Sequence, residues 1–275
     1  MSDVCYISRG LPQGTILGPT LFSIMINDLK PVDALNAKVV RYADDQTFSV
    51  FVKKGYTDKS QLELDNISRW CIDNCLFLNA AKSKEMIICF SKILCDPPAL
   101  IVDGTVIERV NTWKCLGVTF SNDLSWTPHI ESIISRGQSI TFLIRLIVTT
   151  NDLHRADLLF LIKSLLVPVL CYASPCWTNI NKLDLAKLNA VYKRAFRILP
   201  SCYPNKCLND ILLDFQMGFF QDCTSTDHPL YSLIPCRSER ASRNRGSLFP
   251  IPHTNTERFR RHFLVSSIKH YNRMK

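Results

Sequence analysis

The sequence predicts an α+β region reaching Phe120, followed by an all-helical region. Up to Phe120, short runs of β-branched and aromatic residues alternate with two stretches of helical spacing, in the order strand, helix, hairpin, helix, strand, hairpin, strand. Asp103-Gly104 lies between two apolar runs, a strong signal for a two-residue hairpin turn. Beyond Phe120, three successive stretches repeat their apolar residues at helical spacing. The expected arrangement is an antiparallel sheet with helices packed on one face, then a helical domain, with the change of character near Ser121 to Trp126.

The elements follow in order. Residues 1–17 begin as a strand and end in a loop crowded with Gly10, Pro12, Gly14, Gly18 and Pro19. Pro19 suits the first turn of a helix that carries Leu21, Phe22, Met25 and Leu29 at helical spacing. In "KVVRYADDQTFSV", Val39, Val40 and Tyr42 precede Asp44-Asp45, and Phe48, Val50 and Val52 follow, which reads as a hairpin. A helix from Asp58 to Cys75 places Leu64, Ile67 and Cys71 on one stripe, with Trp70 beside it. "LFLNAAKSKEMIICF" reads as a turn and a strand, "ALIVDGTVIERV" as a hairpin and "TWKCLGVTF" as a further strand. Helices are then expected from Thr127 to Ile147, from Asn151 or Asp152 to Ala173, and from Lys182 to Leu199. Past Leu199 only short helices and loops are expected. The domains are thus 1–122, 123–200 and a basic extension 201–275.

The formal net charge is +9 and the pI near 9.0, which favours an anionic partner, nucleic acid before membrane. From Cys236 to Lys275 ten Lys or Arg stand against Glu239 and Glu257, with Phe259, Phe263 and Tyr271 among them. A hydrophobic content of 47% supplies a core and argues against wholesale disorder. "MSDVCYISRG" lacks the apolar run of a secretory signal, so the twelve cysteines are expected as thiols, many of them buried. The spacing of Cys202, Cys207, Cys223, His228 and Cys236 fits no common zinc finger. The apolar run "LLFLIKSLLVPVLCYASPCW" is broken by Lys163 and Pro168 and reads as a buried helix, not a bilayer span.

Asp44-Asp45 has two readings from the residues alone. Asp tolerates turns, so the pair could simply turn a hairpin; it could also be a metal site at the hairpin tip. Further motifs bear on the choice. "GLPQGTILGPTLFSIMINDL" with its Pro-Gln-Gly core, "YADD", "WCIDNCLFLNAAKSKEM" with Leu-Asn-x-x-Lys, and "WKCLGVTFSNDLSWTPHI" resemble, in order, the B, C, D and E motifs of reverse transcriptases of non-LTR (LINE-type) retrotransposons. The resemblance runs from Arg9 to Ile130, and "SLFPIPHTNTERFRRHF" also looks like the ends of such proteins.

The resemblance implies a partial polymerase palm followed by a helical thumb-like region. It implies RNA-directed DNA synthesis on an RNA template and DNA primer, with nucleotide substrates and Mg2+ (or Mn2+) as cofactor. In such chemistry two divalent ions about 4 Å apart clamp the attacking and leaving oxygens. Two carboxylates at about that separation repel by roughly 1 kcal/mol in water and more in a cleft, a penalty that bound cations reverse. By resemblance Asp44 is the main metal ligand and Asp45 the more peripheral one, and Tyr42 packs under the primer end. Gln13 and Gly14 lie near the template base and incoming nucleotide, where a side chain at 14 would intrude. Lys82 approaches the triphosphate as charge partner or proton donor, and the strands around Trp113 to Phe120 grip the primer. Lys187, Lys193, Arg194 and Arg197 form a basic face over the stripe Leu188, Val191, Ala195 and Ile198, suited to duplex phosphates.

The family also places a further metal-binding Asp and a fingers region upstream of Pro-Gln-Gly. The residues before Gly10 resemble neither, and Asp3 is not assigned the role. The expectation is an N-terminally truncated copy, incompetent as a polymerase by itself. The alternative is a non-catalytic nucleic-acid-binding remnant that uses the basic thumb and C-terminal region. Oligomeric state is not legible.

Overall fold

A computed structural model describes residues 14–53, 55–90, 96–150, 154–177, 180–198, 207–225, 227–228 and 232. The strand expected before residue 14, Gln13 and, in the basic extension, every residue but 207–225, 227–228 and 232 lie outside the described residues. The chain divides into two compact units, Met1–Asn111 and Thr112–Lys275.

In the first unit, α1 (Gly18–Ile26) starts with Pro in its first turn, as expected. Strands β1 (Ala37–Tyr42) and β2 (Asp45–Val50) pair antiparallel, from Ala37 opposite Val50 to Tyr42 opposite Asp45. One hairpin face, with Ala37, Val39, Arg41, Gln46, Phe48 and Val50, is buried or half-buried; the other, with Val40, Tyr42, Asp45 and Thr47, is exposed. Helix α2 (Ser60–Asp73) closes a small core of Leu29, Ile67 and Cys71, with Phe48, Leu64 and Trp70 around it. The buried stripe of α2 is Glu63, Ile67 and Cys71, at intervals of four; Leu64 is only half-buried.

Strand β3 (Lys84–Glu85) is shorter than expected and pairs in parallel with β6 (Glu108–Arg109). The pairing is charged: Lys84 binds Glu108, and Arg109 Nε donates to Glu85 Oε2 at 2.8 Å. Between them, β4 (Ile101–Val102) and β5 (Thr105–Val106) form the expected hairpin, and Asp103 and Gly104 both adopt positive φ, 47° and 76°. The expected single antiparallel sheet is not what the described strands form. With the hairpin of the second unit they pair two by two in four ladders, three of them closed by tight turns and one parallel. Each hairpin satisfies its own pairing through local turn residues, and among the described residues no central strand joins the ladders.

The second unit opens on a hairpin where a single strand was expected. "TWKCLGVTF" is a hairpin, β7 (Thr112–Cys115) and β8 (Val118–Ser121), turning at Leu116-Gly117 with φ of 47° and 82°. A Cβ on Gly117 would meet the Tyr172 ring at 2.9 Å, so residue 117 is confined to glycine by backbone sign and by contact. This hairpin clusters with the helices, ten residues before the change of character seen in the sequence. Tyr172 Oη donates to the Leu116 carbonyl at 2.8 Å, and the Thr119 amide donates to His129 Nδ1 at 3.2 Å.

Helix α3 (Thr127–Thr150) buries Ile130, Ile133, Gly137, Thr141 and Ile144. Residues 151–153 are not among those described. The next helix is α4 (Arg155–Leu161), a π-helical turn (Ile162–Leu166) and α5 (Val167–Cys171) in succession. Pro168 offers no N–H and crowds the carbonyl four residues back, and the wider turn just before it absorbs both. Leu158, Ile162, Leu166 and Leu170 are wholly buried, as the interrupted apolar run implied. Burial pushes the Cys171 thiol up to about 12, so it stays protonated. Cys89 departs from the thiol expectation and is disulfide-bonded.

Helix α6 (Lys182–Phe196) is capped by Asn181, whose Oδ1 accepts from the Asp184 amide at 2.7 Å. It buries Leu188, Val191 and Ala195, the expected stripe. Helix α7 (Leu208–Cys223) corrects the expectation of short pieces past Leu199. Its capping Asp210 accepts from the Cys207 amide at 3.3 Å, and Leu208, Gln216 and Phe220 repeat on its inner face. Among the described residues no helix is long and apolar enough to cross a membrane.

Candidate active site

The hairpin brings Tyr42, Asp44 and Asp45 together at one exposed tip. The turn residues are Ala43 and Asp44, and Asp45 opens β2 opposite Tyr42. Ala43 is left-handed, with φ of 51°, a conformation that costs a residue with a Cβ on the order of 1 kcal/mol. Tyr42 is 64% exposed, and with Val40 it leaves an apolar surface beside the carboxylates. Among the described residues no ion pair neutralises Asp44 or Asp45. Two adjacent, water-accessible carboxylates fit a hard divalent cation that retains several waters. No cluster of three or more His, Cys, Asp or Glu able to hold a metal occurs among the described residues.

Other expected site residues are elsewhere in the first unit. Gly14 precedes α1 with φ of 84°; a Cβ there would meet no atom within 4 Å. Glycine at 14 is therefore explained within the chain by backbone conformation rather than by crowding. Lys82 is exposed in the turn after α2, where its amide donates to Asn79 Oδ1 at 3.1 Å. No hydrogen bond or ion pair among the described residues ties Gly14 or Lys82 to the tip.

Two features escaped the sequence reading. Glu63 is buried, 1% exposed, and its carboxylate accepts from the amides of Val32 at 2.9 Å and Asp33 at 2.7 Å. Its signal was its spacing, four residues before Ile67 and eight before Cys71. Arg41, next to Tyr42, donates from Nη2 to the Leu29 carbonyl. Nearby, Asn36 and Lys59 hydrogen-bond the Asp33 carboxylate and lower it to about 2.

In the second unit, His129 is fully buried between Trp126 and Trp177, with ring centroids 6.3 and 6.1 Å away. Burial first, and the charges of Arg136 and Lys114 second, pull its pKa down to about 4. A neutral ring that accepts at Nδ1 carries its proton on Nε2, and that nitrogen is buried without a partner among the described residues. Asn189, Lys193 and Arg194 of α6, with Arg197 at its C-terminal cap, line a shallow groove of about 400 Å³.

Comparison with known proteins bears on the family of the sequence. Residues 2–120 match the family described as reverse transcriptase (RNA-dependent DNA polymerase), and thus belong to it. The chain is 27% identical over 206 residues to the RNA-directed DNA polymerase from mobile element jockey of Drosophila funebris. It is 22% identical over 202 residues to the probable RNA-directed DNA polymerase from transposon X-element of Drosophila melanogaster. Each match covers 71% of this chain and 22% of the relative, so the chain spans about a fifth of the length of these curated relatives. The Pol polyprotein from type-1 retrotransposable element R1 of Bradysia coprophila is 23% identical over 66% of the chain and 18% of that protein. The domain is of the non-LTR retrotransposon type. No solved structure gives a significant match.

Proposed function

We propose that this chain is the metal-binding and primer-gripping part of an RNA-directed DNA polymerase, working on an RNA template, a DNA primer and nucleotides. The observation that supports it is the exposed hairpin tip, where adjacent Asp44 and Asp45 have no neutralising partner among the described residues. Mg2+, with Mn2+ as a substitute, would be held by these two carboxylates and would supply charge stabilisation at the reacting phosphoryl oxygens.

The chain's own residues do the rest. Tyr42, exposed beside the carboxylates, gives the primer end an apolar seat. Gly14, with Gln13 before it, borders the template base and incoming nucleotide, and exposed Lys82 reaches the triphosphate. In this reading the elements as far as β6 belong to a palm, the β7–β8 hairpin grips the primer, and α3 to α6 form a thumb. The α6 groove then tracks duplex phosphates.

Mn2+ titration of the chain followed by electron paramagnetic resonance tests the reading. Asp44→Asn is expected to weaken Mn2+ binding at least about tenfold. Unchanged Mn2+ affinity would overturn it. The basic groove keeps the non-catalytic alternative alive. Each of Lys193→Ala, Arg194→Ala and Arg197→Ala is expected to lower the salt slope of duplex binding by about 1. A chain that shows this slope while Asp44→Asn changes nothing is a binding remnant.

A further inference from the structure

We infer that Glu63 is the positioning residue of the carboxylate hairpin, acting through the segment from Leu29 to Asn36; this rests on the reading of Asp44 and Asp45 as cation ligands. A buried carboxylate needs strong partners, and Glu63 has two consecutive backbone amides. Pro31 has no N–H, so Val32 and Asp33 supply the amides that face α2, and both Glu63 oxygens are used. One turn along, Asn66 Nδ2 donates to the Lys30 carbonyl at 2.9 Å. Helix α2 therefore grips the segment from both sides of Pro31.

That segment holds the hairpin at two heights. At the base, the Ala37 amide donates to the Asp33 carbonyl at 2.8 Å, and the Phe51 amide to the Asn36 carbonyl at 2.7 Å. Near the tip, Arg41 reaches back to the carbonyl of Leu29, itself 1% exposed. Asp33 also takes the Asn36 side chain and an ion pair with Lys59 at 3.0 Å. Base and tip of the hairpin are thus referred to one segment, and Glu63 fixes that segment to the helix. An apolar residue at 63 would leave the Val32 and Asp33 amides without the acceptor that ties them to α2. A carboxylate on the inner face of α2 is explained by that need.

The test uses the whole chain, Mn2+ as the probe, and hydrogen exchange alongside circular dichroism. Glu63→Gln keeps the shape but turns an NH2 toward one of the amides. It is expected to remain helical, to exchange the Val32, Asp33 and Phe51 amides faster, and to bind Mn2+ about tenfold more weakly. Asn66→Ala, a milder change at the surface end of the same grip, is expected to weaken Mn2+ about threefold. A folded Glu63→Gln with unchanged Mn2+ affinity overturns the role. Should that variant fail to fold, unchanged affinity in Asn66→Ala overturns it instead. If Asp44→Asn itself leaves Mn2+ affinity unchanged, the cation reading falls, and this role with it.

Discussion

The two units of this chain are held together by different physics. In the helical unit, Ile130, Ile133, Ile144, Leu158, Ile162, Leu166, Leu170, Leu188 and Leu208 are all wholly buried. In the hairpin unit a smaller cluster of Leu29, Ile67 and Cys71 is buried, with Ile26, Ala37, Val102 and Ile107 also buried among the described residues, while Val40, Tyr42, Phe51 and Val52 stay in water. Among its described residues the hairpin unit adds directed bonds: Glu63 to two amides, Gln61 to both the amide and the carbonyl of Ile101, Arg41 to Leu29. Hydrophobic burial stabilises without fixing orientation, whereas hydrogen bonds fix orientation at little net gain. Under the proposed function, a unit that presents carboxylates in a set direction is better served by hydrogen bonds.

The largest test of that contrast is a core truncation. Leu166→Ala is expected to cost the helical unit about 3 to 4 kcal/mol, because a wholly buried side chain leaves a cavity among fixed neighbours. Ile67→Ala, in the thinner core, should cost about 2 kcal/mol. Urea denaturation measures both, and equal costs would break the contrast. Gly117→Ala comes next at about 2 kcal/mol, from a left-handed backbone and a collision with Tyr172. Tyr172→Ala in the same background should recover part of that loss, since it removes the collision but not the backbone strain.

Acid separates the units by window. His129 sits at about 4 when folded against 6.5 when unfolded, so the unfolded chain binds the extra proton first. Its contribution is whole above 6.5, declines as pH falls from 6.5 to 4, and does not decline further below that. Asp33, at about 2 against 3.8, contributes above 3.8, and that contribution is lost as pH falls toward 2. Hydrogen exchange against pH should therefore show α3 amides loosening first and the Asn36 and Ala37 amides only in stronger acid. His129→Asn should flatten the first window; a profile that keeps its slope would show that His129 does not set it.

The sequence made local features legible and long-range ones illegible. Asp103-Gly104 announced its turn because those residues enter positive φ readily, whereas Leu116 in the equivalent place did not, and its hairpin read as one strand. The α6 stripe was plain from spacing; α7 was hidden behind a stretch of Cys, Pro and Asn, although Asp210 three residues after Cys207 marks its start. The parallel pairing of β3 with β6 rests on Lys84, Glu85, Glu108 and Arg109 meeting across 24 positions, which no local pattern encodes. At the site, the residues of the tip were legible because turn and carboxylates are adjacent. Glu63 was not, because the apolar Leu64 beside it completed the stripe with Ile67 and Cys71, and only the Val32 and Asp33 amides account for a carboxylate on the inner face.

The smallest effect on stability should accompany the largest effect on function. Asp44 is exposed in a two-residue turn and has no ion-pair partner among the described residues, so Asp44→Asn should shift the urea midpoint by less than about 0.5 kcal/mol. Removing one of two like charges could even stabilise the tip slightly in the absence of cation. With Mn2+ present the order should reverse: the parent chain gains stability from the bound ion and the variant does not. A difference that appears only with the ion marks Asp44 as a ligand, while an equal loss with and without Mn2+ would make it an ordinary turn residue and remove the functional half of the contrast.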